Sequence, residues 1–158
     1  MAITQNEKLI FLKKGKEVEK QFSDLFKNTS STEEKQDIKG HVDIKVSVGV
    51  DVKGLKKINR SDQETNEHIH WIEIKGITGH NGWAYGEADF FAFEIKDYWI
   101  VVSKEDLQIF IKENIKKERV LKPGLYKLYQ RKDRKDLITL VTSYDLCYIS
   151  TLQIKKQK

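Results

Sequence analysis

The stretch that decides the fold is His70-Trp71-Ile72-Glu73-Ile74-Lys75-Gly76, taken with Val50-Asp51-Val52-Lys53-Gly54 upstream. Both alternate apolar and polar residues, the pattern of a half-buried strand. Side chains two positions apart on a strand share a face and stand roughly 7 Å apart. Glu73 and Lys75 are therefore expected on one face, with Ile72 and Ile74 anchoring the other. The loop between the two segments is long enough to return the chain so that their strands pair, which brings Asp51 to Glu73. Two carboxylates about 4 Å apart repel by about 4 kcal/mol at an effective dielectric of about 20. Such a pair must share a proton, separate or hold a cation. Hard oxygen ligands with no thiolate favour Mg²⁺ or Mn²⁺. An ion of that kind acidifies a bound water and offsets charge on phosphorus. Asp51 and Glu73 are thus candidate metal ligands. Lys75 is the candidate to neutralise a phosphate or orient the attacking water. The plainer reading makes Glu73 and Lys75 ordinary solvent-facing strand residues.

Working outward, Val42, Ile44, Val46 and Val48 alternate with polar residues over 41–50 and predict a further strand. Asn6 to Lys27 sets Phe11, Gly15, Val18, Phe22 and Leu25 on one stripe and predicts an amphipathic helix. Polar Lys56 to His68 reads as a connection. After the deciding strand, Gly76, Gly79, Gly82 and Gly86 enclose Trp83 and Tyr85 and predict a shaped loop. It matches neither a P-loop nor a dinucleotide fingerprint. Glu87 to Ile95 is open between strand and helix. Tyr98 to Val102 predicts a strand, and Lys104 to Lys117 a second amphipathic helix. Leu125 to Gln130 and Leu137 to Thr142 predict a hairpin. The order implies an α/β fold with a mixed central β-sheet flanked by helices and an added C-terminal β-hairpin, as a single domain over 1–158.

Composition bounds the function. The chain has 158 residues, 39% hydrophobic and 34% charged, which is the balance of a globular protein with a heavily charged surface. The net charge of +5 suits a polyanionic partner. Cys147 is the one cysteine, so an intrachain disulfide and a multi-cysteine zinc site are both excluded. Neither a signal peptide nor a membrane span is expected, and the reading is of an intracellular, cytoplasmic protein with no membrane partner. His68 and His70 fall on the strand face opposite Glu73, which argues against a histidine metal site there.

Basic residues cluster in two places. Lys53, Lys56, Lys57 and Arg60 follow Asp51, and Arg131, Lys132, Arg134 and Lys135 crowd the hairpin tip. Each is a solvated run or a track for a phosphate backbone, where such contacts position and do not specify. Trp83 and Tyr85 are candidates to stack on bases, or are core caps with a polar tip.

Asp51 followed by Glu73-x-Lys75 on a flanking strand resembles the signature of the PD-(D/E)XK nuclease superfamily. Lys14-Gly15-Lys16-Glu17-Val18-Glu19 resembles the first-helix motif of its Holliday-junction-resolvase-like members. The run from Trp71 to Gly76 and on through Gly82 to Phe90 resembles uncharacterised virus-encoded proteins of this superfamily. The resemblance implies a restriction-endonuclease-like fold and a Mg²⁺- or Mn²⁺-dependent DNA endonuclease acting on duplex or branched DNA, in the host cytoplasm if the protein is virus-encoded. Branched or paired cuts would suggest a two-fold homodimer, although the sequence shows no interface stripe. It implies that Glu19 helps position metal-bound water from the first helix and that the Ile74 carbonyl completes the coordination. A second register fits the same pattern, with Asp43 and Asp51-x-Lys53 as the motif and Glu73 and Lys75 structural. A catalytically silent module on the same fold, holding nucleic acid or protein, is the alternative function.

Overall fold

The computed structural model describes residues 16, 20, 29–31, 44–59 and 61–157. The chain divides into two compact units, Met1–Val48 and Gly49–Lys158. In the first, β1 (Thr29–Ser31) and β2 (Ile44–Val46) form an antiparallel pair with Ser30 opposite Lys45. Lys16 and Lys20 are helical. The other residues for which the sequence predicts that helix, Glu19 among them, lie outside the described residues, as do Asp43 and Arg60.

The second unit holds two four-stranded sheets, where the sequence suggested one. The first runs β10 (Leu152–Lys155), β6 (Tyr98–Ser103), β5 (Phe90–Glu94), β3 (Val50–Lys53). Within it β3 and β5 are parallel and the other pairs antiparallel. The second runs β4 (Ile69–Lys75), β9 (Leu137–Thr142), β8 (Lys127–Tyr129), β7 (Lys116–Val120). The expected pairing of the Asp51 and Glu73 strands is therefore corrected: Asp51 stands opposite Phe91, and Glu73 opposite Ile138. The cause is the segment left open in the sequence. Phe90-Phe91-Ala92-Phe93 is a strand with Phe91, Ala92 and Phe93 all buried, and it takes β3 as its neighbour. The expected hairpin pairs through Tyr129 and Ile138, but β9 also carries β4, so it is an internal part of the sheet and not an addition.

Both sheets share one core. Ile72 of β4 and Val141 of β9 meet Phe91, Phe93, Ile100 and Val102 from the other sheet. Helix α1 (Lys104–Asn114) closes it with Leu107, Phe110 and Ile111, three side chains on one face at helical spacing. Complete burial of a side chain the size of Phe91 or Phe93 is worth about 3 kcal/mol. Ser103 caps α1 by accepting from the Asp106 amide at 3.0 Å. The helix stops at Asn114, short of the expected Lys117, because Ile115 is extended and Lys116 begins β7.

Helix α2 (Ser143–Tyr148) starts on a capping box between Thr142 and Asp145. Burial favours the neutral Asp145 carboxyl, but hydrogen bonds from Thr142 and Tyr126 outweigh it and hold the pKa below the usual carboxylate value. No helix among the described residues is long and apolar enough to cross a membrane.

Candidate nucleic-acid interface

On β3 the alternation places Asp51 and Lys53 on one face, and their side chains form an ion pair, Nζ to Oδ2, at 2.7 Å. The strand is inverted in polarity. Val50 and Val52 are 47% and 57% exposed, while Asp51 and Lys53 are half-buried. The Lys53 ammonium lies 4.1 Å from the centre of the Trp83 ring, close enough for a cation–π contact. Trp83 is itself fixed from behind by Phe91 and Phe93, with ring centres 5.1 and 6.0 Å away.

Trp83 belongs to a short 3₁₀ turn, Trp83–Tyr85, whose approach requires a glycine. A Cβ on Gly82 would sit 2.3 Å from the Glu73 carbonyl oxygen. Without one, the loop lies flat on β4, and the Gly82 amide donates to the Ile74 carbonyl at 2.9 Å.

A groove of about 610 Å³ opens beside this turn. Trp71, Glu73, Trp83, Tyr129 and Ile138 line it, together with Lys56, Ile58 and Asn59 from the segment after β3 and Arg131, Lys132 and Arg134 from the segment before β9. Strand register explains the floor: Glu73, Ile138 and Tyr129 stand in one cross-strand row, and Trp71 precedes Glu73 by two on the same strand. The Trp71 indole N–H donates to the Lys57 carbonyl at 3.1 Å, which fixes the ring. Arg131 is anchored from beneath. Its Nε donates to Asp136, a carboxylate with no exposed surface, so the terminal guanidinium nitrogens are left for other partners.

The sequence-derived site divides accordingly. Asp51 and Glu73 arise from different sheets, and among the described residues no three histidine, cysteine, aspartate or glutamate side chains gather as a metal cluster. The Ile74 carbonyl, expected as a ligand, already accepts from Gly82. Lys75 does not line the groove with Glu73. The register slips between the two, leaving Ile74 as the extra residue, and Lys75 is exposed opposite Leu137 and Asn81. A bulge of this kind breaks the strict alternation from which the shared face was inferred. Lys56, Trp83, Arg131, Lys132 and Arg134 do reach the groove, and Lys53 lines a smaller recess with Lys56, Trp71 and Trp83. Lys57 contributes only its carbonyl, Tyr85 packs on the core, and the Lys135 side chain lies against Gly79. Trp71, Asn59 and Ile138 were missed as lining residues; for Trp71 the signal was present, because the alternation that orients Glu73 orients Trp71 with it.

Comparison of the chain with protein-family models, curated proteins and solved structures returns no match.

Proposed function

We propose that the protein is a divalent-metal-dependent nuclease acting on DNA, with its chemistry at Asp51 and Lys53 and not at Glu73 and Lys75. The observation that carries this reading is the Asp51–Lys53 pair, turned inward at 2.7 Å on a strand whose valines face outward, beside a cationic groove. Such inversion works against burial of apolar surface, and a functional role for the charged face accounts for it. An aspartate and a lysine two apart on one strand match the second register read from the sequence. The parallel β3–β5 pair beside antiparallel β6 supports a restriction-endonuclease-like arrangement.

Asp51 is the described carboxylate that would hold Mg²⁺ or Mn²⁺; the described residues alone do not complete a ligand set. Lys53 supplies a positive charge beside that carboxylate, suited to offset charge developing on a phosphate. The cations lining the groove supply non-specific attraction for the backbone. The test is incubation of purified protein with end-labelled duplex, branched and single-stranded DNA, with Mg²⁺ and with chelator. Cleavage in Mg²⁺ that disappears in Asp51→Asn supports the assignment; equal cleavage by wild type and Asp51→Asn overturns it.

A silent binding module is the second reading, favoured by the neutralisation of Asp51 by Lys53. It requires salt-sensitive DNA binding with no heat of Mn²⁺ binding in calorimetry.

A further inference from the structure

The groove floor has a chemistry that phosphate contacts do not explain. Trp71 and Tyr129 present aromatic surface there, and Glu73 places a carboxylate in the same cross-strand row as Tyr129. Among the described residues Glu73 forms no ion pair or side-chain hydrogen bond. A bare carboxylate repels phosphate and accepts only from donors. The faces of bases are hidden inside a duplex and open in a single strand, where they stack on aromatic side chains.

We propose that the groove takes a single-stranded DNA segment, with a base stacked on Trp71 or Tyr129 and its exocyclic amino group turned to Glu73. The substrate class rests on the nucleic-acid reading above and does not depend on cleavage. Arg131, held through Nε by Asp136, and its neighbours Lys132 and Arg134 then meet the phosphates at the rim. The hydrogen bond from Trp71 to the Lys57 carbonyl holds the stacking surface in place before the strand arrives. Cytosine suits the carboxylate through its amino donor. Thymine offers only a ring N–H flanked by two carbonyl oxygens, which the carboxylate repels.

The test is fluorescence anisotropy in chelator at mildly alkaline pH, with short labelled oligo(dC), oligo(dT) and a blunt duplex. Oligo(dC) is expected to bind about tenfold more tightly than the duplex, and Trp71→Ala or Tyr129→Ala to lose about tenfold on the single strand with little change on the duplex. Trp71→Phe, which keeps an aromatic ring but loses the N–H that fixes it, is expected to fall between wild type and Trp71→Ala on the single strand, and Glu73→Gln to shrink the preference for dC over dT. Circular dichroism establishes that each variant is folded. Should Trp71→Ala unfold, Tyr129→Ala and the dC-to-dT ratio of Glu73→Gln decide the matter. Equal or tighter duplex binding, or aromatic variants that lose affinity equally on both forms, overturns the proposal. Single-strand binding without any Mg²⁺-dependent cleavage removes the nuclease reading alone, and cleavage with duplex-preferring binding removes this inference alone.

Discussion

His70 makes the stability of the fold depend on pH in a direction the structure fixes. It lies on the core face of β4, 5% exposed, with its ring 5.5 Å from that of Phe93. The Ser143 hydroxyl gives its single hydrogen to the Glu67 carbonyl, so it accepts from His70 Nε2 at 2.9 Å. The neutral ring therefore carries its proton on Nε2, and a second proton must go to Nδ1, which has no hydrogen-bond partner among the described residues. Burial pulls the imidazole pKa from 6.5 down to about 4. The unfolded chain takes up the proton near 6.5 and the folded chain only near 4, so between them protons favour the unfolded state. The contribution of the neutral ring is intact above pH 6.5 and is lost as pH falls toward 4. At about 1.36 kcal/mol per pH unit, the loss across that window is about 3 kcal/mol. The assay is urea unfolding followed by circular dichroism from about pH 7.5 to about 4.5, on wild type and His70→Leu. Wild type is expected to lose most of that increment, and the variant, less stable at neutral pH, to show a flatter profile. Parallel profiles for the two proteins would refute the reasoning.

Three further expectations follow from single contacts. Gly82→Ala forces a Cβ to within 2.3 Å of the Glu73 carbonyl oxygen and 2.8 Å of the Ile74 carbonyl carbon; displacement of either segment is expected to cost about 3 kcal/mol in urea unfolding, and a wild-type midpoint contradicts it. Arg131→Ala strands the Asp136 carboxylate, which has no exposed surface, while Arg131 itself is 36% exposed. The expected cost is about 3 kcal/mol, the low end for a broken buried pair, with Arg131→Ala/Asp136→Leu recovering much of it in the same assay; a loss under about 1 kcal/mol argues against the anchor. Asp145→Ala removes the acceptor for the Tyr126 hydroxyl, 2.6 Å away, and for the Thr142 amide; a drop of about 2 kcal/mol is expected, measured by thermal unfolding, and no shift in Tm sinks it.

The existence of most strands was legible because alternation is a local property. His70-Trp71-Ile72-Glu73 and Tyr98 to Val102 both fold as read. The choice of partners was not legible, because it depends on packing between segments far apart in the chain. Nothing local to β3 says that its neighbour is Phe90–Glu94 and not β4. The β5 strand hid for the same reason: buried along Phe91, Ala92 and Phe93, it has no polar alternation to display. The slip at Ile74 was equally silent, since a bulge is set by how β4 meets β9 and by the loop carrying Gly82. That one residue separates Lys75 from Glu73. Asp51 and Lys53 were visible as a second register, and their pairing needs nothing beyond the period of an unbroken strand.

Single-turnover cleavage of labelled DNA in Mg²⁺ by Lys53→Met and Lys75→Met tests most directly the proposed assignment of the chemistry to Lys53 in place of Lys75. Lys53→Met is expected to lose about a hundredfold or more in rate, and Lys75→Met to cut as wild type does. A fast Lys53→Met beside a dead, folded Lys75→Met would contradict the account.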